Sequence, residues 1–309
     1  MEQQITQPLV TIVLCTYNGA LYLEQQLNSI TSQTYTNLEV IISDDASSDD
    51  TVRILKEFEH RKGFKIYYQE ENLGYIKNFA FALSKASGDF IALSDQDDIW
   101  LPHKIETLLH CFGKELLVYS DSLLVDDTGR SMLRKISDIR KMYTGNNSKG
   151  FFLFNVVWGH ALMMRRELLQ YALPIPEAVP HDIWFAFKAA TISGIRYCDE
   201  VLTHYRQHSH SYTTTLLPRH VQTRTISKRY QDYLKQLHWL SIMKEHAPAP
   251  EQDFYQTFYQ LFRKKEEGKY CFSLLLFALS HQKDLYRFSK KNFMSRLIDI
   301  RKMARGEKK

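Results

Sequence analysis

The stretch VTIVLCTYNG (residues 10–19) decides the fold prediction. Its first six residues are apolar or β-branched, as in a strand that is buried on both faces, and Tyr17-Asn18-Gly19 then turns the chain. Apolar residues follow at positions 21, 23, 27 and 30, close to helical spacing. A buried strand that leads through a polar turn into a helix is typical of an α/β protein.

The same order of strand and helix continues to residue 125. We expect further strands at 38–42, 65–68, 90–93 and 116–125, with helices after the first four strands. Strands that alternate with helices of this length imply a largely parallel sheet with helices on both faces. Ligands of such sheets bind beyond the carboxyl ends of the strands.

Three polar clusters fall at that edge of the predicted sheet. They are Thr16-Tyr17-Asn18 after the first strand, Asp44-Asp45 after the second, and the segment DQDD (residues 95–98) after the fourth. The acidic segment has two interpretations. It is either a solvated turn that caps the next helix, or a site for a hard divalent cation, which takes one or two carboxylates together with substrate phosphate oxygens.

Together, these clusters resemble the nucleotide-sugar half of the family-2 inverting glycosyltransferases, which have the GT-A fold. Asn72-Leu73-Gly74 and Lys77-Asn78 fit the same pattern, and Ala46 departs from it because the family often has glycine there. The resemblance implies a GT-A-like (Rossmann-like), mostly parallel sheet flanked by helices. We expect a catalytic domain at 1–217, with a nucleotide-sugar half at 1–110 and an acceptor half at 111–217, and a helical C-terminal extension at 218–309.

The resemblance also implies roles for the matched positions. Thr16 and Tyr17 would line a pyrimidine pocket, in which the Tyr17 ring can stack on the base. Asp45 would accept the base N–H, because a carboxylate only accepts hydrogen bonds. Asp95 would face the ribose and the metal, and Asp97 would bind the Mn²⁺ or Mg²⁺ ion that offsets charge on the leaving diphosphate. The remaining predicted donor-binding positions in this half are Asn18, Asn72, Gly74 and Lys77.

An inverting transfer needs a general base for the acceptor hydroxyl. Asp182 matches the acidic residue that opens an acceptor-side helix in the family, and it follows a Pro-rich loop in the segment PHDIW (residues 180–184). The same carboxylate can also cap that helix, and the two roles are compatible. His181 is the weaker candidate for the base.

The segment YRQH (residues 205–208) resembles segments in the branch of the family that includes predicted rhamnosyltransferases. Arg206 would neutralise phosphate, and His208 would ligate the metal or contact the diphosphate. The alternative is a histidine-rich surface loop that includes His204, His208 and His210. Trp158 is open between a sugar-stacking platform and a core residue.

The net charge of +5 conceals an asymmetry. Residues 218–309 contain 20 basic and 9 acidic residues, whereas residues 1–217 contain 20 basic and 26 acidic residues, so the balances are +11 and −6. The longest apolar run, residues 271–279, is about half of what a bilayer span requires. Basic, aromatic helices fit a surface-lying contact with anionic lipid. A packing module or a homo-oligomer contact is the alternative, and no nucleic-acid motif accompanies the charge.

The start of the chain and the cysteines predict a location. MEQQITQP (residues 1–8) has no basic segment followed by an apolar core, so we expect no secretory signal. The four cysteines lie far apart and form no CxxC pair, which predicts free thiols in a reducing compartment. The expected location is therefore cytoplasmic and peripheral, on the inner face of the plasma membrane.

The sequence thus predicts a metal-dependent inverting glycosyltransferase. Its donor would be a pyrimidine nucleotide sugar, either dTDP-rhamnose or a UDP-hexose. The acceptor would be a bacterial surface glycan, free or lipid-linked, such as lipopolysaccharide, capsule or wall polysaccharide. The alternative from another class is a catalytically silent GT-A-fold protein that docks on a membrane or a partner. A nucleotidyltransferase is disfavoured, because the loop CTYNGA (residues 15–20) lacks the basic residues that such an enzyme places there.

Overall fold

The computed structural model describes residues 7–208 and 226–307. The predicted boundary between residues 217 and 218, His210 and the first six residues lie outside this range. The described strands are β1 (Val10–Thr16), β2 (Leu38–Asp44), β3 (Lys65–Tyr68), β4 (Phe90–Ser94), β5 (Ile99–Trp100), β6 (Leu117–Val125), β7 (Ser131–Lys135), β8 (Leu162–Arg165) and β9 (Ile195–Arg206). The described α-helices are α1 (Ala20–Thr31), α2 (Thr51–Lys62), α3 (Tyr75–Ser84), α4 (Lys104–Cys111), α5 (Ile136–Ile139), α6 (Leu169–Ala172), α7 (His181–Ile192), α8 (Ile226–His246), α9 (Gln252–Arg263), α10 (Phe272–Ser280), α11 (Gln282–Leu285) and α12 (Phe293–Met303).

The first half of the chain folds as the alternating pattern predicts. β1 lies between β2 and β4, and the three strands run parallel. Thr16 pairs with Asp44 and Leu14 pairs with Ser94, so the three strands end at the same edge of the sheet. Apart from Leu38, which is partly buried, their Val, Ile and Leu side chains are buried, which explains the continuous apolar runs in the sequence. The α/β class with flanking helices and a helical C-terminal region is confirmed.

The second half of the sheet is mixed. The strand order is β3-β2-β1-β4-β8-β6-β9-β5, and β7 pairs with β6 outside this path. β8 runs antiparallel to both of its neighbours, whereas β6 and β9 run parallel. Residues 195–206 form one strand, β9, whose pairing with β6 is irregular around Asp121. The polar segment at 126–150 contains β7, whose side chains are exposed, and α5.

Two of the cysteines are bonded to each other. Cys111 at the end of α4 and Cys198 in β9 form a disulfide with a Cα–Cα distance of 6.0 Å. The prediction of free thiols is therefore wrong for this pair, although Cys15 and Cys271 are free. The bonded residues are 87 positions apart, and a single sequence gives no signal for a pairing of that kind.

Helices α8–α12 pack into the same hydrophobic core as residues of the predicted catalytic domain. The ring of Phe258 in α9 lies 4.7 Å from that of Phe152, measured between centroids. Nearby, the buried Ser148 hydroxyl lies 2.5 Å from a Glu251 carboxylate oxygen and 2.8 Å from the Tyr255 hydroxyl. One continuous core therefore joins the two regions that the sequence separates by charge.

We expect Phe258→Ala to destabilise the entire chain, because Phe258 is buried where the two regions meet. The free energy of unfolding should fall by about 3–5 kcal/mol, the usual loss for a buried Phe truncated to Ala. Urea denaturation followed by circular dichroism measures it. Phe272→Ala, at a side chain that is 62% exposed, is the matched control and should change stability by about 0.5 kcal/mol or less. Two separate transitions, of which Phe258→Ala shifts only one, would contradict a shared core.

Candidate active site

The three polar clusters meet at one edge of the sheet. Gln96 of the acidic turn accepts a hydrogen bond from the Tyr17 backbone N–H (2.9 Å) and donates one to the Tyr17 carbonyl (3.2 Å). The Asn18 side chain accepts from the Ser48 backbone N–H (2.8 Å), on the loop that follows β2. Backbone and side chain together therefore join the ends of β1, β2 and β4 into one surface.

Asp45 organises the loop before α3. Its two carboxylate oxygens accept from the backbone N–H groups of Leu73 (2.8 Å) and Gly74 (3.0 Å). The Asn72 amide donates to the Asp45 carbonyl (3.3 Å), so residues 72–74 are held against the end of β2. A carboxylate oxygen can accept more than one hydrogen bond. The predicted bond from Asp45 to a base N–H remains compatible with these contacts and stays a prediction.

Ala46, which replaces the glycine frequent in the family, has φ 61°. This is the left-handed region, where glycine pays no steric cost and other residues pay roughly 1–2 kcal/mol. The turn is closed by Asp44, whose carboxylate accepts from the Ser47 backbone N–H (2.9 Å). The backbone conformation thus gives a physical reason for the family's preference, and alanine, the smallest alternative, takes it here.

The other predicted donor-binding residues differ in exposure. The Tyr17 side chain is half exposed, so its ring is open to stacking. Thr16 is buried, and its hydroxyl donates to Asp44 (2.7 Å), which places it behind the wall of the site. Lys77 forms an exposed ion pair with Glu177, 3.2 Å between Nζ and Oε1. Direct donor contacts by these residues stay predictions.

Asp97 and His208 are brought together from positions 111 residues apart. His208 Nε2 lies 2.8 Å from Asp97 Oδ2, where β9 ends beside the acidic turn. Two of the three residues that the sequence assigned to the metal, Asp97 and His208, are therefore neighbours. A carboxylate and an imidazole at this distance can serve as two ligands of one divalent cation.

A second group of cation ligands lies beside this pair. One ligand atom from each of Asp95, Asp98 and His160 falls within 4.8 Å of the others. His160 Nδ1 is 3.7 Å from Asp95 Oδ2 and 3.5 Å from Asp98 Oδ2, and its Nε2 is 2.9 Å from the Ser122 hydroxyl. Neither Asp98 nor His160 was assigned to the metal from the sequence. The signal was the acidic run itself, which holds three carboxylates in four residues.

Burial disfavours the ionised forms of the carboxylates in this group. Asp98 is fully buried, and burial together with the charges of Asp97 and Asp95 raises its pKa well above the usual range. Burial also raises the pKa of Asp95, but the hydrogen bond and charge of His160 outweigh it, so the pKa is lowered overall. Asp98 Oδ2 is buried without a hydrogen-bond partner among the described residues. The set consists of two carboxylates, one of which has a buried oxygen without a hydrogen-bond partner, and an imidazole. These groups fit a divalent cation of the Mn²⁺ or Mg²⁺ class.

Lys104 supports the acidic turn from inside the protein. It is fully buried, and its Nζ donates to the His160 carbonyl (2.5 Å) and to the Thr203 hydroxyl (2.8 Å). Nζ also lies 3.7 Å from the centroid of the Trp100 ring. Burial lowers the pKa of Lys104 well below its usual range, although Asp98 and Asp95 oppose this. The sequence analysis did not identify Lys104.

Arg206 fixes the acidic turn in place through hydrogen bonds. It is buried, its Nε donates to the Asp97 carbonyl (2.7 Å), and its backbone N–H donates to Asp98 Oδ1 (2.9 Å). Its terminal nitrogens donate to the Asp127 carbonyl (2.8 Å) and the Gln25 side chain (2.6 Å). Protein oxygens therefore occupy most of the guanidinium, and the predicted contact with phosphate stays a prediction.

Asp182 lies in the first turn of α7, as predicted. Its Oδ2 accepts from the Asn155 amide (2.9 Å), and burial, aided by the charge of Asp95, raises its pKa to about 7. A carboxylate with this pKa can both take and release a proton near neutral pH. Gly159 lies beside it, because a Cβ there would meet Asp182 Cβ at 4.0 Å and His181 Nε2 at 3.0 Å.

His181 is not suited to the role of base. Its ring is buried and stacks on Phe79 with 4.2 Å between centroids. Burial lowers its pKa to about 4, so its ring is a much weaker base than the Asp182 carboxylate. Trp158 is buried with Leu124 and Tyr205 in a small hydrophobic cluster, which favours the core interpretation over a sugar platform.

Comparison with known proteins agrees with this geometry. The family model described as glycosyl transferase family 2 matches residues 11–172. An uncharacterized glycosyltransferase of Rickettsia prowazekii (strain Madrid E) is 30% identical over 227 residues, which are 70% of each chain. An uncharacterized glycosyltransferase of Haemophilus influenzae is 28% identical over 233 residues, 72% of each chain.

Solved structures show the same fold at low identity. S. aureus TarS 1-349 in complex with UDP-GlcNAc is 17% identical with a TM-score of 0.59, and the match covers 96% of this chain and 81% of that one. The mannosyltransferase PcManGT from Pyrobaculum calidifontis, in complex with GDP-Man and Mn²⁺, is 16% identical with a TM-score of 0.56 and covers 97% and 86%. Because the family model matches more than half of the 309 residues, the chain belongs to glycosyl transferase family 2 and is a glycosyltransferase.

Proposed function

We propose that the protein is a metal-dependent inverting glycosyltransferase that uses a pyrimidine nucleotide-sugar donor. One observation carries the proposal. Asp182, a partly buried carboxylate with a pKa of about 7, lies close enough to the acidic turn for the charge of Asp95 to raise that pKa. A proton acceptor and a cluster of cation ligands thus face one site, as transfer from a nucleoside diphosphate requires.

In this mechanism the acceptor hydroxyl transfers its proton to Asp182 while the hydroxyl oxygen forms a bond to the anomeric carbon of the donor sugar. The bond from that carbon to the diphosphate breaks on the opposite face, so the configuration inverts. Asn155 orients the Asp182 carboxylate, and Gly159 leaves room beside it. Asp95, Asp97, Asp98, His160 and His208 would hold Mn²⁺ or Mg²⁺, which supplies positive charge for the leaving diphosphate.

Two features support a pyrimidine base. Tyr17 presents a half-exposed ring, and Asp45 presents a carboxylate that can accept an imide N–H. TarS binds UDP-GlcNAc and PcManGT binds GDP-Man, so the nucleotide-sugar class is common to both neighbours, whereas the base differs. The likeness of YRQH (residues 205–208) to predicted rhamnosyltransferases favours dTDP-rhamnose over a UDP-hexose.

The proposed acceptor is a bacterial surface glycan, free or linked to lipid, such as lipopolysaccharide, capsule or wall polysaccharide. The protein would act in the cytoplasm at the inner face of the plasma membrane. The excess of basic residues after position 217 supports this location, because the cytoplasmic leaflet carries anionic lipid.

The first test is a thermal-shift panel with UDP, dTDP and GDP, each with and without Mn²⁺. A pyrimidine diphosphate with metal should raise the melting temperature, because a ligand that binds only the native state stabilises it. GDP or the nucleotide without metal should shift it less. Equal shifts with GDP would contradict the pyrimidine assignment, and no shift with any nucleotide would contradict the proposed function.

We expect Asp97→Asn to weaken Mn²⁺ binding at least about tenfold, because it removes a charged ligand beside His208. Isothermal titration with Mn²⁺ and UDP measures the loss, and donor hydrolysis should fall with it. The neighbouring exposed carboxylate gives the control Asp127→Asn, which should bind Mn²⁺ like the wild type. Unchanged affinity in Asp97→Asn would remove Asp97 from the ligand set.

For Asp182, kcat/KM of the wild type should rise with pH through about 7 as the base becomes ionised. Asp182→Asn should lose activity at every pH. The thermal stability of Asp182→Asn, in contrast to its activity, should exceed that of the wild type at high pH. The folded pKa is raised above the unfolded value of about 3.9, so ionisation costs the wild type stability as pH rises from about 4 to about 7. Above pH 7, Asp182→Asn should therefore melt at a higher temperature than the wild type.

The control for both measurements is Asp253→Asn, at an exposed carboxylate in α9. It should leave the pH profile of activity and of melting temperature unchanged. An Asp182→Asn variant that retains activity, or a wild-type profile that is flat between pH 6 and pH 8, would exclude Asp182 as the base.

A further inference from the structure

An exposed apolar and basic strand lies next to the candidate active site. We call residues 130–135 the β7 arm. Its Leu133 side chain is 92% exposed and Met132 is 38% exposed, and Arg130, Arg134 and Lys135 beside them are exposed too. Leu133 also has φ 53°, in the left-handed region that is uncommon for a residue other than glycine. The chain thus holds a leucine in water at some conformational cost, which points to a partner.

A second apolar and basic surface lies on the C-terminal helices. We call residues 290–302 the α12 arm. Phe293, Met294 and Ile298 are 59%, 64% and 52% exposed. α10 packs against α12, and its Phe272 and Leu276 are 62% and 52% exposed. Five large apolar side chains on two packed helices therefore face solvent.

The two arms are neighbours. Arg140, which follows the β7 arm through α5, forms an antiparallel β-bridge with Ser289. The Lys141 backbone N–H donates to the Phe288 carbonyl (3.0 Å). Ser289 immediately precedes the α12 arm, so this bridge places the chain that follows the β7 arm next to the start of the α12 arm.

Arg206 connects the acidic turn with the turn that precedes the β7 arm. Its guanidinium donates to the Asp127 carbonyl (2.8 Å), three residues before the arm, and to the Asp97 carbonyl (2.7 Å). One buried side chain therefore fixes the turn between β6 and β7 relative to the candidate metal ligands. A partner bound to the β7 arm would lie within a few residues of that turn.

The positive charge of this surface indicates an anionic partner. Between residues 286 and 305 the chain contains seven basic residues and one acidic residue, Asp299, which pairs with Lys291. The β7 arm adds three basic residues and no acidic one. We propose that the β7 arm and the α12 arm form one docking surface for an anionic lipid bilayer, which sets the active site at the headgroups. The inference deepens the proposed function, since it rests on a membrane-borne acceptor and names the surface that meets the membrane.

Two considerations favour a bilayer over other occupants. Separate apolar side chains interleaved with Lys and Arg suit insertion between headgroups, where the apolar tips reach acyl chains and the charges meet phosphate. A second copy of the chain would place the same basic surface against itself in a twofold interface, which like charges oppose. No helix within residues 7–208 and 226–307 has the length and apolar character to cross a bilayer.

The test is sedimentation of the full-length protein with vesicles. The vesicles are phosphatidylcholine alone, or phosphatidylcholine and phosphatidylglycerol in equal parts. We expect binding only to the anionic vesicles, and weaker binding as salt screens the charges. Leu133→Ser and Phe293→Ser should each lower the partition coefficient about tenfold, because each removes a large apolar side chain from the inserted surface. Arg134→Glu with Lys135→Glu should weaken the preference for anionic lipid about tenfold or more, because it changes the charge of the β7 arm by −4 while the basic residues of the α12 arm remain.

Matched controls come from exposed residues outside the arms. Ile192→Ser, at a side chain that is 42% exposed, and Lys56→Glu with Lys62→Glu should bind vesicles like the wild type. Nucleotide-induced thermal shifts should be unchanged in the arm variants, so a failed docking surface and a failed catalytic proposal give different results. Equal binding to both vesicle types, or wild-type binding by the arm variants, would overturn the proposal. A dimer in solution that Leu133→Ser dissociates, without any vesicle binding, would overturn it in favour of a second copy.

Discussion

The structure depends on holding three carboxylates together at the end of a buried strand. Asp95, Asp97 and Asp98 follow β4 within four residues, and Asp98 is fully buried. Like charges this close in sequence repel, and burial penalises the charge of Asp98 further. The turn is stable because cationic or neutral donors reach it from other elements. Arg206 and His208 come from the end of β9 and His160 from the turn before β8, while Lys104 of α4 donates to the His160 carbonyl.

This requirement explains the arrangement of the second half of the sheet. β8 pairs with β4, so the turn that carries His160 starts beside the acidic turn. β5 pairs with β9, so the end of β9 returns Arg206 and His208 to the same place. A purely parallel continuation would have left the acidic turn without these partners. The mixed topology is thus the means by which distant residues compensate a local concentration of charge.

The sequence predicts what is local and periodic. The apolar runs of β1, β2 and β4 and the polar residues that end them predict both the sheet and the edge at which the site lies. Asp97 and His208 were assigned to the metal through resemblance, and the structure brings them into contact. Contacts between distant elements leave no such pattern. The burial of Lys104, the Cys111–Cys198 bond and the short strand β7 each depend on partners that a single sequence does not reveal.

The C-terminal helices bear on catalysis through the helix that carries Asp182. α7 is buried on most of its surface, including Trp184 and Phe187, so one side packs towards the sheet and the other needs a cover. α8 and α9 supply it, since the Phe187 ring lies 5.6 Å from Trp239 and 6.2 Å from Tyr255. A base must be held within a fraction of an ångström of its target to be effective. The region that differs most from the catalytic half in charge is therefore part of what fixes the position of the candidate base.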